Sequence, residues 1–274
     1  MIFIFNRTWF FIDRSPWPFR TSILLFIFVF HFLYIITLFN FCSLLIKSFW
    51  IFVFFCFLAQ MMFWGFSLSL EAAYYFKQFF FVWINLKAGM KFFIISEVFF
   101  FFGFFWSFFW YGVEPHVFIL NVWPPIYSID LDSWNLPWLN TIILVISGIS
   151  ITYSHNALKI LNNFVKVREG LFFTLVLSLL FLFNQFFEYL FLGLQINDGV
   201  FGSIFYLATG FHCFHVLIGS ILLSLNFFRF YFFLFSLRSF GLIFFEASIW
   251  YWHFVDLVWI FLFATIYLCT SNFL

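Results

Sequence analysis

Long apolar stretches separated by short polar segments dominate this chain. Residues 21–46, 48–70, 133–158, 170–187 and 199–228 contain no Asp, Glu, Lys or Arg. Residues 92–113 are interrupted only by Glu97, and residues 247–274 only by Asp256. A helix needs about 20 apolar residues to cross a bilayer core roughly 30 Å thick. Each of these seven runs is near or above that length. The pattern predicts helices over 21–46, 49–76, 91–112, 137–160, 168–195, 199–229 and 241–271. A linker over 77–90, holding Lys77, Lys87 and Gly89, divides a two-helix group from a five-helix group. The organisation that follows is a segment 1–20, helices one and two over 21–76, the linker 77–90 and a five-helix bundle over 91–274. The long loop 113–135 carries Pro115, Pro124 and Pro125, which break helices and suit exposed turns. Connections four–five and five–six are very short, so those helices are expected to be antiparallel neighbours.

Charge sets the orientation. Of twelve Lys and Arg residues, all but Lys47 fall on one side once seven spans are drawn. Arg7, Arg14 and Arg20 precede span one, and Lys77, Lys87 and Lys91 follow span two. Lys159, Lys166 and Arg168 follow span four, and Arg229 and Arg238 follow span six. Glu114, Asp130, Asp132 and Asp198 lie opposite. By the positive-inside rule the N-terminus is inside and the C-terminus outside.

Composition narrows the class further. At 66% apolar and 8% charged residues the chain is no ordinary soluble domain. A net charge of +1 gives no reason to expect nucleic-acid binding. Phe reaches 58 residues. Lipid accepts Phe, Leu, Ile and Val about equally, so a T-rich coding strand, as in some organellar genomes, is the expected source of the excess, with selection for aromatic packing as the alternative. Cys42, Cys56, Cys213 and Cys269 are scattered singly, with no CxxC or Cys/His metal spacing, and reduced thiols are expected. Residues 1–20 carry no clean targeting signal, in keeping with synthesis inside an organelle.

The polar residues within the spans are the candidates for function, because charge at membrane depth is costly and usually paired or functional. Glu97 lies six residues, about 9 Å, beyond Lys91 on helix three. His212 and His215 sit mid-way along helix six. His253 and Asp256 share a face of helix seven at i and i+3. Glu188 and Glu246 lie nearer helix ends. Three readings stand open: a metal or haem held by His212, His215 and His253, a proton-active cluster centred on Glu97, and hydrogen bonds that knit helices together. Gly199, Gly202 and Ser203, like Gly210 and Gly219, permit close approach of backbones.

Several strings together resemble one family. Residues 89–110 read GMKFFIISEVFFFFGFFWSFFW and residues 136–158 read LPWLNTIILVISGISITYSHNAL. Residues 197–220 read NDGVFGSIFYLATGFHCFHVLIGS and residues 245–267 read FEASIWYWHFVDLVWIFLFATIY. Ser15-Pro16-Trp17-Pro18, Trp123-Pro124-Pro125 and Gln185-Phe186-Phe187-Glu188-Tyr189 add to them. These resemble subunit III of mitochondrial cytochrome c oxidase, over most of the chain beyond residue 89 and thinly before it.

The resemblance implies an all-α polytopic membrane protein with helices one–two set against three–seven in a V-shaped cleft that holds phospholipid. It implies a non-redox core subunit of a proton-pumping oxidase. The chain would bind no cofactor of its own, with haem and copper in partner subunits I and II and accessory subunits nearby. The expected location is the mitochondrial inner membrane, with the N-terminus in the matrix, the C-terminus in the intermembrane space and an organelle-encoded gene. Glu97 matches the family's carbodiimide-reactive membrane carboxylate, whose implied roles are support of proton uptake and protection from turnover inactivation. Trp64, Glu71, Lys77, Lys87 and Trp106 are the implied lipid-cleft residues. Phe66 and Leu70 stand where the family's arginines are expected, and Trp110 where a His is common. The rival classes are a stand-alone seven-helix transporter or receptor and a haem-binding enzyme. The absence of a visible internal repeat weighs against a transporter.

Overall fold

A computed structural model describes residues 15–37, 44–74, 80–115, 122–125, 133–161, 163–231 and 239–271. Every element among them is helical: α1 (Trp17–Thr37), α2 (Leu44–Tyr74), α3 (Phe80–Val113), α4 (Leu136–Lys159), α5 (Phe164–Phe191), α6 (Gly199–Tyr231) and α7 (Ser239–Leu262). A π-helical turn, Phe263–Tyr267, and the short α8, Leu268–Ser271, continue α7. Six stretches are long and apolar enough to cross a membrane, within α2 through the end of α7, and the apolar part of α1, Trp17–His31, is shorter.

The chain forms two compact units, Met1–Gln78 and Phe79–Leu274. In the first, α1 and α2 pack as a hairpin through aromatic contacts, with Phe28 against Trp50 and Phe54. In the second, α7 is the central helix and touches α3, α4 and α6, while α5 packs between α4 and α6. Trp252, Trp259, Phe181 and Phe205 fill its core. Outward-facing Phe173, Leu179, Phe183 and Leu190 on α5 give the apolar surface that lipid requires.

Helix boundaries follow local chemistry. Asn163 caps α5, its side chain accepting from the Val165 and Lys166 amides at 3.1 and 3.2 Å, which starts the helix ahead of the expected residue 168. Pro137 occupies the first turn of α4, where no amide hydrogen is needed. The expected linker 77–90 is corrected from residue 80 onward, because α3 begins at Phe80 and carries Lys87 and Gly89 within it. No proline interrupts residues 80–91, and Leu, Lys, Ala and Met favour helix. Lysines also extend their aliphatic stems along a helix, so they need not mark its end. Helix one, expected to reach residue 46, is helical through Thr37, and residues 38–43 lie outside the described residues.

Small residues let the helices approach. A Cβ on Gly219 of α6 would lie 2.9 Å from the Trp252 ring of α7, and one on Gly148 of α4 would lie 2.9 Å from Asp256 Oδ2. Gly170 of α5 sits directly against Ser154 and the Ser150 carbonyl of α4. Gly199 has φ 65°, a left-handed conformation that turns the chain into α6. Gly210 does not share this role, since nothing lies within 4 Å of a Cβ built there.

Candidate functional site

Three buried polar assemblies lie in the five-helix unit. In the first, Glu97 Oε2 of α3 is 3.4 Å from His215 Nε2 of α6, and His215 Nδ1 is 2.7 Å from the Tyr251 hydroxyl of α7. A phenol O–H donated to Nδ1 leaves the ring proton on Nε2, facing the carboxylate. Phe101 and Phe254 pack against the imidazole, and both are buried. His215 is nearly enclosed, with 9% of its side chain exposed, whereas Glu97 retains 22%. The acid is therefore the accessible end of the row.

The other predicted residues occupy separate places. His212 is fully buried and donates from Nε2 to the Val255 carbonyl at 3.1 Å, between Phe181 and Trp259. His253 Nδ1 is 3.8 Å from Asp256 Oδ2, and Asp256 Oδ1 is buried without a hydrogen-bond partner. The three imidazoles thus turn to three different partners. Among the described residues no three His, Cys, Asp or Glu side chains come together as metal donors.

The residues expected at a lipid cleft divide. Trp64 is half-buried in α2, while Lys77 and the side chain of Glu71 lie outside the described residues. Trp106 is exposed and lines a groove of about 390 Å³ with Phe109, Trp110, Val113 and Glu114. Lys87 Nζ is 2.8 Å from Glu246 Oε2, which ties it to α7.

That ion pair belongs to the second assembly. Lys159 Nζ of α4 lies 2.9 Å from Glu246 Oε1, with His155 Nε2 4.0 Å from the same oxygen. One buried carboxylate therefore clamps α3, α4 and α7 at their basic ends. Sequence reading placed Glu246 near a helix end but did not pair it, although lysines and an acid at one depth were a usable signal.

The third assembly surrounds Glu188. Asn184 Nδ2 donates to Asn140 Oδ1 at 3.0 Å, Asn140 Nδ2 is 3.5 Å from Gln185 Oε1, and Gln185 Nε2 donates to Glu188 Oε2 at 3.0 Å. The Tyr267 hydroxyl donates to Glu188 Oε1 at 2.8 Å from the π-helical turn. Ser133 Oγ bonds the Tyr267 carbonyl at 2.8 Å. Simpler pairs stitch the rest: Trp252 to Ser147, Trp259 to Thr141, Ser150 to Thr174 and Asn226 to Ser248. Interhelical hydrogen bonding is therefore a principal use of polar residues here, as expected where lipid supplies no hydrophobic drive between helices.

Fold and site together define a polytopic, all-α membrane protein whose buried polar groups join its helices. The sequence profile of the family Cytochrome c oxidase subunit III matches residues 7–271. A cytochrome c oxidase subunit 3 of Anopheles quadrimaculatus is 44% identical over 205 residues, covering 74% of this chain and 77% of the relative. The same-named protein of Chondrus crispus is 39% identical over 260 residues, covering 93% and 92%. That of Pylaiella littoralis is 48% identical over 185 residues, covering 67% and 66%. The chain belongs to the cytochrome c oxidase subunit III family. It is a subunit of an oxidase complex, and nothing favours the transporter or receptor alternative.

Proposed function

We propose that this chain is the non-redox core subunit that stabilises the catalytic haem-copper subunit I of its oxidase and supports proton uptake on the matrix side. Haem and copper belong, in this reading, to subunits I and II, and the chain contributes protein groups and phospholipid contacts. Its place is the mitochondrial inner membrane, with the N-terminus in the matrix. The distribution of Lys and Arg supports that orientation, and the Phe excess supports an organelle-encoded gene.

The observation that carries the reading is the row Glu97–His215–Tyr251. The carboxylate and the imidazole nitrogen face each other closely enough to share a proton. The phenol fixes the ring's tautomer from the other side. Glu97, partly exposed, can exchange a proton with water at the protein edge, while His215 keeps the acid oriented. Such a pair holds a proton inside the membrane without a metal and without leaving a charge unpartnered. Nearby apolar rings exclude competing polar contacts.

Replacing Glu97 by Gln in the assembled oxidase tests this. Assembly is expected to remain intact, while proton uptake slows or the enzyme's lifetime under turnover shortens. Unchanged uptake together with unchanged lifetime would remove Glu97 from this role.

A further inference from the structure

The hydrogen bonds around Glu188 have a direction. Asn184 Nδ2 donates to Asn140 Oδ1, Asn140 Nδ2 faces Gln185 Oε1, and Gln185 Nε2 donates to Glu188 Oε2, at 3.0, 3.5 and 3.0 Å. Three amides thus run head to tail with their N–H ends toward the acid. The Tyr267 hydroxyl donates to the other carboxyl oxygen at 2.8 Å. An ionised carboxylate only accepts, so its charge demands this direction. Aligned hydrogen bonds also polarise one another, which strengthens the last bond to the acid. Both amide atoms of Asn140 and Gln185, the Tyr267 hydroxyl and both oxygens of Glu188 are engaged in this arrangement.

No described cation completes the site. Glu188 is 5% exposed, and no Lys, Arg or His among the described residues forms an ion pair with it. The polar groups facing the acid are Gln185 on its own helix, with Asn140 of α4 behind it, and Tyr267 of the π-helical turn. Tyr189 on α5 and Tyr206 and Cys213 on α6 are the other titratable groups within its electrostatic reach. Tyr189 is tied to Thr209, and Tyr206 donates to the Leu194 carbonyl. None of these groups brings a positive charge. A buried charge held by neutral dipoles alone is costly, and a proton removes that cost.

A protonated acid reverses the demand. Its O–H is a donor, so Gln185 must present Oε1 to it. Gln185 Nε2 then turns to Asn140 Oδ1, and Asn140 Nδ2 turns to Asn184 Oδ1. Amide oxygen and nitrogen are close in size, so three half-turns reverse the row without moving a helix, and every atom again has a partner. We propose that Glu188 is a proton-binding site of the five-helix unit and that the amide row is its two-state reporter, running toward the charged acid and away from it once a proton from water sits on Oε2. The reversal reaches Asn184, a half-buried residue one turn away on α5, which gives the row its Nδ2 in one state and its Oδ1 in the other. The site shares no residue with the row Glu97–His215–Tyr251, and the inference rests on no role for Glu97.

Infrared difference spectra of the intact oxidase in its membrane, taken between acid and alkaline buffers, test this. An unchanged haem spectrum first verifies assembly of each variant. Glu188→Gln, which keeps the shape of the side chain, is expected to abolish one carboxylic C=O band that grows on acidification, together with the matching change in carboxylate bands. Side-chain amide C=O bands that change at the same midpoint are expected to vanish with it. Asn184→Ala, at the half-buried end of the row, is expected to keep the carboxyl band and to lose one amide's share of the amide signal. Glu97→Gln is expected to retain both signals. Identical difference spectra for the natural and Glu188→Gln enzymes overturn the proton site. An amide signal untouched by Asn184→Ala overturns the reversing row. Loss of the Glu188-dependent band in Glu97→Gln assigns that band to the other acid and overturns the site as well. The role of Glu97 is read from proton uptake and turnover lifetime, so the two proposals fail separately.

Discussion

Glu97 and His215, more than one hundred residues apart in sequence, meet at 3.4 Å between α3 and α6 of the five-helix unit. The imidazole is held on its far side by the Tyr251 hydroxyl, so the acid faces an oriented partner. Glu97→Gln should cost about 1 kcal/mol of stability or less, because the amide oxygen can still accept from the ring. Its effect should fall on turnover. Tyr251→Phe frees the ring's orientation while leaving the acid in place. It is expected to move turnover lifetime in the same direction as Glu97→Gln, by a smaller amount, and paired inactivation time courses of the two variants check this.

Glu246 makes a different prediction. It is buried, with 6% of its side chain exposed, and it joins Lys87 and Lys159, whose side chains are 40% and 47% exposed. Solvent screens the lysine ends, so the attraction is worth less than that of a fully buried pair. Removing the acid nevertheless strands two ammonium groups at the junction of α3, α4 and α7. Glu246→Ala is expected to destabilise the unit by about 1–2 kcal/mol after that discount. Lys87→Met should cost under about 1 kcal/mol, since Lys159 still holds the acid. The temperature at which this chain leaves the oxidase measures both, and an equal loss in the two variants would contradict the clamp.

The contrast between these two acids shows what a sequence carries. The helices were legible because uncharged runs of bilayer length admit few other structures, and the family was legible from strings such as those around Glu97 and His253. Helix three was misjudged at its start because Lys87 and Lys91 look like loop residues, whereas their stems can lie along a helix. The partner of Glu97 was not legible, since which imidazole it meets depends on how α3 and α6 rotate against each other. The Lys87–Glu246–Lys159 clamp joins three helices, so its signal is the shared depth of an acid and two lysines and not any local spacing. Gln185 and Glu188 did carry a signal, being i and i+3 on one face. Tyr267 did not, because a π-helical turn shifts it off the period of α7.

The Glu188 network depends on that turn. Tyr267 is fully buried and, among the described residues, is one of two side-chain donors that hold the carboxylate, the other being Gln185. Tyr267→Phe leaves Glu188 Oε1 without this donor in an enclosed site, at an expected cost of about 1–3 kcal/mol. Asn184→Ala, at the far end of the row and only part-buried, should cost under about 1.5 kcal/mol. Thermal release from the oxidase ranks them. An Asn184 variant as damaged as the Tyr267 variant would show that the row does not converge on Glu188.

Two glycines of α6 separate packing from propensity. A Cβ on Gly219 would press the Trp252 ring at 2.9 and 3.1 Å, and that indole is fully buried with its Nε1 bonded to Ser147 at 3.0 Å. The ring cannot retreat without breaking that bond or displacing α4. Gly219→Ala should therefore cost about 1–3 kcal/mol, the usual penalty of overpacking. Gly210 meets nothing within 4 Å, so Gly210→Ala gains helix propensity of up to about 1 kcal/mol with no internal clash. Melting of the two variants within the oxidase should move in opposite directions. If Gly210→Ala instead weakens the complex while Gly219→Ala is neutral, close approach at Gly210 by another chain, and not the α6–α7 contact, governs this helix.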